Sequence, residues 1–195
     1  MKKNLLVAVT GGIGSGKSYL IEILKKKGFS TLSCDGVARD ILELRSVKKQ
    51  LKKLFPSAVN GKIFLSVDRK KLSDIVFNDK LELKKLNDLT HPIIIKKTLD
   101  VAKKLPSPVF IEVPLLFESK SQDLFDKVIV VTRDKNQRIE SVINRSALSK
   151  EEVLSRMNNQ VDYDTLDLSK YIIVKNDKDL NLIDSIYTII QQIYS

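Results

Sequence analysis

An α/β fold with a doubly wound, five-stranded parallel sheet follows from three observations on this 195-residue sequence. Short apolar runs of strand length alternate with amphipathic stretches of helical spacing. One such run passes through a glycine-rich turn directly into a helical stretch. The chain is 43% hydrophobic, enough to bury one sizeable core, yet no apolar run approaches the ~18 residues that span a bilayer. Strands alternating with helices predict a parallel sheet covered on both faces.

Leu5 to Val9 is a wholly apolar strand, and Ser18 to Leu24 carries helical spacing that stops at Gly28. Phe29 to Cys34 is the second strand. Gly36 to Leu54 reads as one helix with Val37, Ile41, Leu44, Val47, Leu51 and Leu54 on one face, closed by Pro56 and the Asn60-Gly61 turn. Three helices are expected next: Asp68 to Phe77 with Asp68 as N-cap, Asp79 to Leu89, and Pro92 to Leu105 with Pro92 in the first turn. Val109 to Val113 and Lys127 to Thr132 are strands. Helices from Asp134 to Arg145 and from Ser149 to Gln160 follow, the second opened by a Ser149/Glu152 capping box. Tyr171 to Val174 is the fifth strand, and a helix from Asp179 to Tyr194 ends the pattern.

The glycine-rich turn carries the chemistry. Gly11-Gly12-Ile13-Gly14-Ser15-Gly16-Lys17-Ser18 fits the phosphate-binding pattern of a P-loop, and it has the preceding strand and following helix that the pattern requires. Glycines let consecutive backbone N–H groups turn toward phosphate oxygens, and the helix N-terminus adds positive potential. Lys17 supplies a point charge to the outer phosphates and Ser18 a hydroxyl for Mg²⁺. The expected ATP-binding set is therefore Gly12, Ile13, Gly14, Ser15, Gly16, Lys17, Ser18 and Tyr19. A GTPase would carry Asn-Lys-x-Asp late in the chain, which Lys175-Asn176-Asp177-Lys178 does not match.

Charge is concentrated. Residues 45–104 hold 16 Lys/Arg against 6 Asp/Glu, which accounts for the whole formal charge of +10. Such a field attracts a polyanion, whether nucleic acid, an anionic membrane or a phosphorylated small molecule. No aromatic-rich stacking platform for nucleic acid is visible. Cys34 alone gives no intrachain disulfide, and His91 as the single histidine argues against zinc. The apolar stretch after Met1-Lys2-Lys3 runs straight into the glycines without a cleavage-type segment, so a cytoplasmic protein without a membrane anchor is expected.

Asp35 leaves the second strand, and the carboxyl ends of strands line the ligand crevice in doubly wound sheets. It is placed either to accept an acceptor hydroxyl's proton or to cap the helix that follows.

Several separated stretches together resemble the dephospho-CoA kinases: Val9 to Ser18; Cys34-Asp35-Gly36-Val37-Ala38-Arg39; Asp68-Arg69 with Leu72, Val76 and Phe77; Leu86-Asn87 and His91-Pro92; Val113-Pro114-Leu115-Leu116-Phe117-Glu118; and Tyr171 to Asn176. The resemblance implies a single domain with a P-loop NTPase-type core, a helical CoA-binding insertion over about 56–105 and a helical lid over about 119–160. It implies ATP and Mg²⁺, and transfer of a phosphoryl group to the ribose 3′-hydroxyl of dephospho-CoA, with neither nucleic acid nor membrane as partner. Carried over residue by residue, Asp35 becomes the base, and Arg145 joins Lys17 and Asp35 as catalytic. Asn176 belongs to the ATP site. Arg69, His91, Pro114, Leu115, Leu116 and Glu118 join Asp35 at the acceptor. His91 is equally placed to cap a helix, and Glu118 to make a structural salt bridge. Two departures stand out. Ser33 occupies the position of the family's first Asp, and Arg138 and Ser141 stand where the family often has Gln and Arg. Arg138 and Arg145, seven residues apart on one helical face, are both placed to close over the ATP phosphates as the family's lid does, but Arg145 alone carries over cleanly. A different small-molecule kinase and a basic ATP-dependent nucleic-acid-binding module are the competing readings.

Overall fold

In the computed structural model, residues 4–146, 148–177 and 182–194 are described, with backbone alone for Phe77 and for 182–187. They form two compact units. One comprises residues 1–33 and 102–195, the other 34–101.

The first unit is built on β1 (Leu6–Thr10) and α1 (Lys17–Lys26), followed by β2 (Ser30–Ser33). The chain reaches Gly28 at a positive φ of 89° after α1, and Gly28 and Phe29 return N–H bonds to Lys25 and Leu24 carbonyls, which closes the helix.

The second unit begins with α2 (Cys34–Ile41) and α3 (Arg45–Leu54), then a hairpin of β3 (Val59–Asn60) and β4 (Ser66–Val67), then α4 (Arg69–Asn78) and α5 (Lys80–Ala102). Back in the first unit come β5 (Val109–Glu112), β6 (Lys127–Thr132), α6 (Lys135–Arg145), α7 (Lys150–Met157), β7 (Ile172–Lys175) and α8 (Leu182–Tyr194).

The five long strands are all parallel, in the order β2-β5-β1-β6-β7. β1 is central, because the chain leaves it toward β5 and β2 on one side and later returns to β6 and β7 on the other. Reversal of strand order at β1 opens a crevice at its carboxyl end, where the glycine-rich turn begins. Every β1 residue is buried, as a strand covered on both faces must be. The core joins Val7, Val9, Phe110, Ile129 and Val131 of the sheet to Leu20 and Leu24 of α1 and Ile189 and Ile193 of α8. Phe29 meets Phe110 edge to face, with ring centroids 5.4 Å apart.

The second unit has its own core of Val47, Leu51, Phe55, Ala58, Val59, Leu72 and Val76. Three expectations change here. The helix expected over 36–54 is two, because Leu44 turns extended (φ −67°, ψ 128°) and Glu43 and Leu44 donate back to Asp40 and Ile41. The apolar stripe runs through this break, so periodicity could not reveal it. The helices expected over 79–89 and 92–105 are one, with Pro92 inside α5. Leu83, Leu86, Leu89 and Ile93 pack on the unit's core on both sides of the proline, and this burial offsets the ~3 kcal/mol that an interior proline costs. Asn60-Gly61 is the start of a hairpin loop, Gly61 having φ 85°. Capping by Asp68 and the Ser149/Glu152 box is as expected, and the Asp134 side chain caps α6 by accepting from the Asn136 and Gln137 N–H groups. The helix expected from Asp179 starts at Leu182 in the described residues, and residues 178–181 lie outside them.

Phe110→Ala should cost about 3–5 kcal/mol, because it removes a fully buried ring at the centre of the sheet. Urea unfolding followed by circular dichroism measures the loss, seen as a lower midpoint at unchanged m-value.

Candidate active site

Between Thr10 and Lys17 the backbone makes its turn with Gly11 at φ 146°, Gly14 at φ 78° and Gly16 at φ 100°. A Cβ on Gly11 would strike the Val131 carbonyl, one on Gly14 the Arg138 carbonyl, and one on Gly16 the Asn176 side-chain amide. The loop is therefore pressed on all sides by backbone and side chain that only glycine admits. Gly16 caps α1 without a side chain and the first turn holds no acidic residue, whereas α4, α6 and α7 carry side-chain caps. The first N–H groups of α1 thus face an anion site with no built-in acceptor from the cap.

Four side chains brace the loop. Lys17 Nζ donates to the carbonyls of Gly11 (2.7 Å) and Gly12 (3.0 Å). Asn176 Nδ2 donates to the Ser15 carbonyl at 2.8 Å, which ties the end of β7 to the loop. The Ile13 backbone is held on both sides of its Cα: its N–H donates to Gln160 Oε1 at 2.7 Å, and its carbonyl accepts from Arg138 Nε at 3.0 Å. Gln160 and Arg138 come from the segments around α7 and α6; sequence reasoning put Arg138 on the lid face with Arg145, toward the ATP phosphates, and gave Gln160 no role, and it foresaw neither contact with Ile13. Their partners lie 147 and 125 residues away, so no local pattern announces them.

Ser18 Oγ donates to Glu112 Oε1 at 2.7 Å. Glu112 ends β5, sits in register between Val9 and Ser33 on the neighbouring strands, and is only 8% exposed. It too escaped the sequence reading, although a lone carboxylate inside the apolar run Val109 to Val113 was its signal. A hydroxyl and a carboxylate side by side, both hard oxygen donors, suit Mg²⁺. Among the described residues no cluster of three or more His, Cys, Asp or Glu forms a cage.

Beyond β5, Pro114, Leu115 and Glu118 are half-buried and Leu116 is fully buried. Phe117 packs on both Tyr163 and Tyr171, at centroid distances of 5.9 and 5.3 Å. Glu118 Oε1 accepts the Val161 N–H at 2.9 Å, whereas Oε2 is buried and without a hydrogen-bond partner among the described residues. The Tyr163 hydroxyl lies 3.3 Å from Thr10 Oγ1 beside the start of the loop. Burial pushes its pKa up to about 12, although the Thr10 hydrogen bond opposes the shift.

Of the other expected residues, Tyr19 is half exposed on α1, and Arg145 is exposed at the C-terminal end of α6. Asp35, Arg69 and His91 belong to the second unit. Asp35 is exposed in the first turn of α2, two residues past the end of β2. Arg69 Nη2 donates to Glu43 Oε1 at 3.0 Å and the Arg39 carbonyl at 3.4 Å. His91 lies within α5 rather than at a helix start; burial pushes its imidazole below the usual range, with the Asp88 carboxylate opposing.

Comparison with known proteins adds the decisive observation: residues 5–181 match the family model described as dephospho-CoA kinase. The chain belongs to the dephospho-CoA kinase family. Its similarity extends to a dephospho-CoA kinase of Fusobacterium nucleatum, 33% identical over 180 residues that cover 90% of this chain and 91% of that protein. The fold is similar to the crystal structure of a Thermus thermophilus protein, with a TM-score of 0.83 at 30% identity and 98% of both chains covered. A solved dephospho-CoA kinase from Campylobacter jejuni gives 0.66 at 33% identity, covering 96% of each chain. A dephospho-CoA kinase is a phosphotransferase that completes coenzyme A synthesis by phosphorylating the ribose 3′-hydroxyl of dephospho-CoA with ATP.

Because the folded state keeps Tyr163 protonated to about pH 12 while an unfolded tyrosine ionises near 10, unfolding releases a proton between these values. Stability contributed by the neutral hydroxyl is intact below about pH 10 and falls as pH rises toward 12. Urea midpoints of wild type and Tyr163→Phe should therefore converge across that window, and parallel curves would show that Tyr163 titrates normally.

Proposed function

We infer that the first unit binds MgATP and that the residues inherited from the family pattern divide the transfer between them. The observation that carries this reading is the glycine loop itself, whose helix lacks a side-chain cap and whose mouth holds Lys17 and the Ser18–Glu112 pair. The loop N–H groups and Lys17 hold the donor phosphates. Ser18 and Glu112 would hold Mg²⁺, whose chemistry is to neutralise charge on the β- and γ-phosphate oxygens when bound. Tyr19 and Asn176 complete the ATP site, Asn176 by keeping the loop in shape.

The acceptor is dephospho-CoA. Asp35 is the base: it orients the 3′-hydroxyl and takes its proton as the oxygen attacks phosphorus, in line with the departing ADP. Arg69, a neutral His91, Pro114, Leu115, Leu116 and the free Oε2 of Glu118 supply acceptor contacts, and the basic field of the helical insertion over about 56–105 attracts the acceptor's pyrophosphate. Arg145 on the lid, about 119–160, offsets charge that develops on the transferring group. The reaction runs in the cytoplasm, without nucleic acid or membrane as a partner. Among the described residues, no helix is long and apolar enough to cross a membrane.

A coupled ADP-release assay across dephospho-CoA, AMP, nucleosides and single-stranded DNA tests the reading. Turnover should require dephospho-CoA, and equal stimulation by AMP or by DNA would reject it.

Asp35→Asn should lower kcat by about 10²–10⁴-fold with ATP affinity little changed, since it keeps the shape and loses the base. Single-turnover kinetics beside equilibrium ATP titration separates the two effects. Glu112→Gln should raise the Mg²⁺ concentration for half-maximal rate several-fold while leaving metal-free ADP binding intact. A Mg²⁺ titration at saturating ATP reads this directly.

A further inference from the structure

Arg138 is the most deeply buried cation of α6, at 7% exposed, and its surroundings do not repay that burial as a structural ion pair would. Nε donates to the Ile13 carbonyl at 3.0 Å. Neither Nη atom makes a hydrogen bond among the described residues, and no carboxylate there stands within ion-pair distance. Asp162 and Asp164 act on it only through space, and desolvation prevails over both, holding the guanidinium below its usual range. A buried cation satisfied by one carbonyl is costly to a protein that gains nothing further from it.

Its position gives it something to gain. The guanidinium lies against Gly12 so closely that a Cβ there would overlap it. Lys17 Nζ bonds the Gly11 and Gly12 carbonyls. Two cations thus converge on one residue of the phosphate loop, Lys17 from α1 and Arg138 from α6. Arg145 is seven residues further along α6, about 10 Å down the axis, and exposed.

We propose that Arg138 is a phosphate-binding residue of this enzyme, its free Nη atoms donating to the γ-phosphate of ATP from the Gly12 side while Nε keeps the Ile13 carbonyl. A planar guanidinium serves both tasks at once, which the single point of an ammonium cannot. The assignment rests on the glycine loop being the ATP site, and it adds to the family pattern a residue that the pattern does not supply.

A loop clamp and a phosphate ligand make different demands on the nucleotide. A clamp supports ATP and ADP alike, whereas a γ-phosphate ligand supports ATP alone. Equilibrium titration of Arg138→Gln with MgATP and MgADP, without acceptor, reads this whether or not dephospho-CoA is the substrate. The expected result is ATP binding weakened about tenfold, ADP binding changed less than twofold, and kcat with dephospho-CoA lowered about 10²–10³-fold. Arg138→Lys keeps the charge and should fall between; it carries the same ATP-to-ADP comparison if the glutamine variant does not fold. Equal weakening of both nucleotides, or no weakening of either, overturns the proposal.

Discussion

The loop between β1 and α1 exists in its observed shape because three of its positions carry no side chain. Gly11, Gly14 and Gly16 stand where the Val131 carbonyl, the α6 backbone and the Asn176 amide have closed in to contact distance. Strand β6, helix α6 and the end of β7 therefore pack directly on the loop backbone, and a methyl group at any of the three would push one of them away. Close packing makes the loop stiff before ligand arrives, and stiffness reduces the ordering cost of binding. The parallel sheet provides the frame: β1 lies at its centre, buried on both faces, with β5 and β6 as hydrogen-bonded neighbours.

Charge is handled differently on the two units. Around the loop, charged side chains are buried and committed: Lys17 to two carbonyls, Arg138 to a third and Glu112 to the Ser18 hydroxyl. In the second unit the ion pairs are exposed and short-range, such as Lys84 with Asp88 and Lys85 with Glu82 on α5. Exposed pairs of this kind contribute little to stability and are screened by salt. The basic excess of residues 45–104 thus acts as a diffuse field, while the loop acts through fixed geometry.

Sequence reasoning found the five strands, the loop, the helix caps at Asp68 and Ser149, and the kinase family, because each leaves a local or patterned trace. It misplaced breaks where packing overrode local rules: Pro92 sits inside α5, and an apolar stripe conceals the turn at Leu44. At the site, residues written into a motif were legible and those that reach it through the fold were not. Arg138, Gln160 and Tyr163 contact the loop region from more than 120 residues away; the spacing to Arg145 marks Arg138 as a lid residue but not its bond to Ile13, and nothing nearby marks Gln160 or Tyr163. Glu112 is the intermediate case, since a carboxylate in a buried strand has to be satisfied by something and here finds Ser18.

The grip on Ile13, at its N–H by Gln160 and at its carbonyl by Arg138, has a mechanical meaning. Arg138 comes from α6 and Gln160 from just past α7, and the N–H and carbonyl they hold belong to the two successive peptide planes that meet at the Ile13 Cα. A displacement of either helix must turn the φ or ψ of Ile13 or release one of these bonds, and a change in those dihedrals by an arriving nucleotide is felt at both side chains. Occupancy of the loop and posture of the helices beside it are consequently coupled through the dihedrals of one residue.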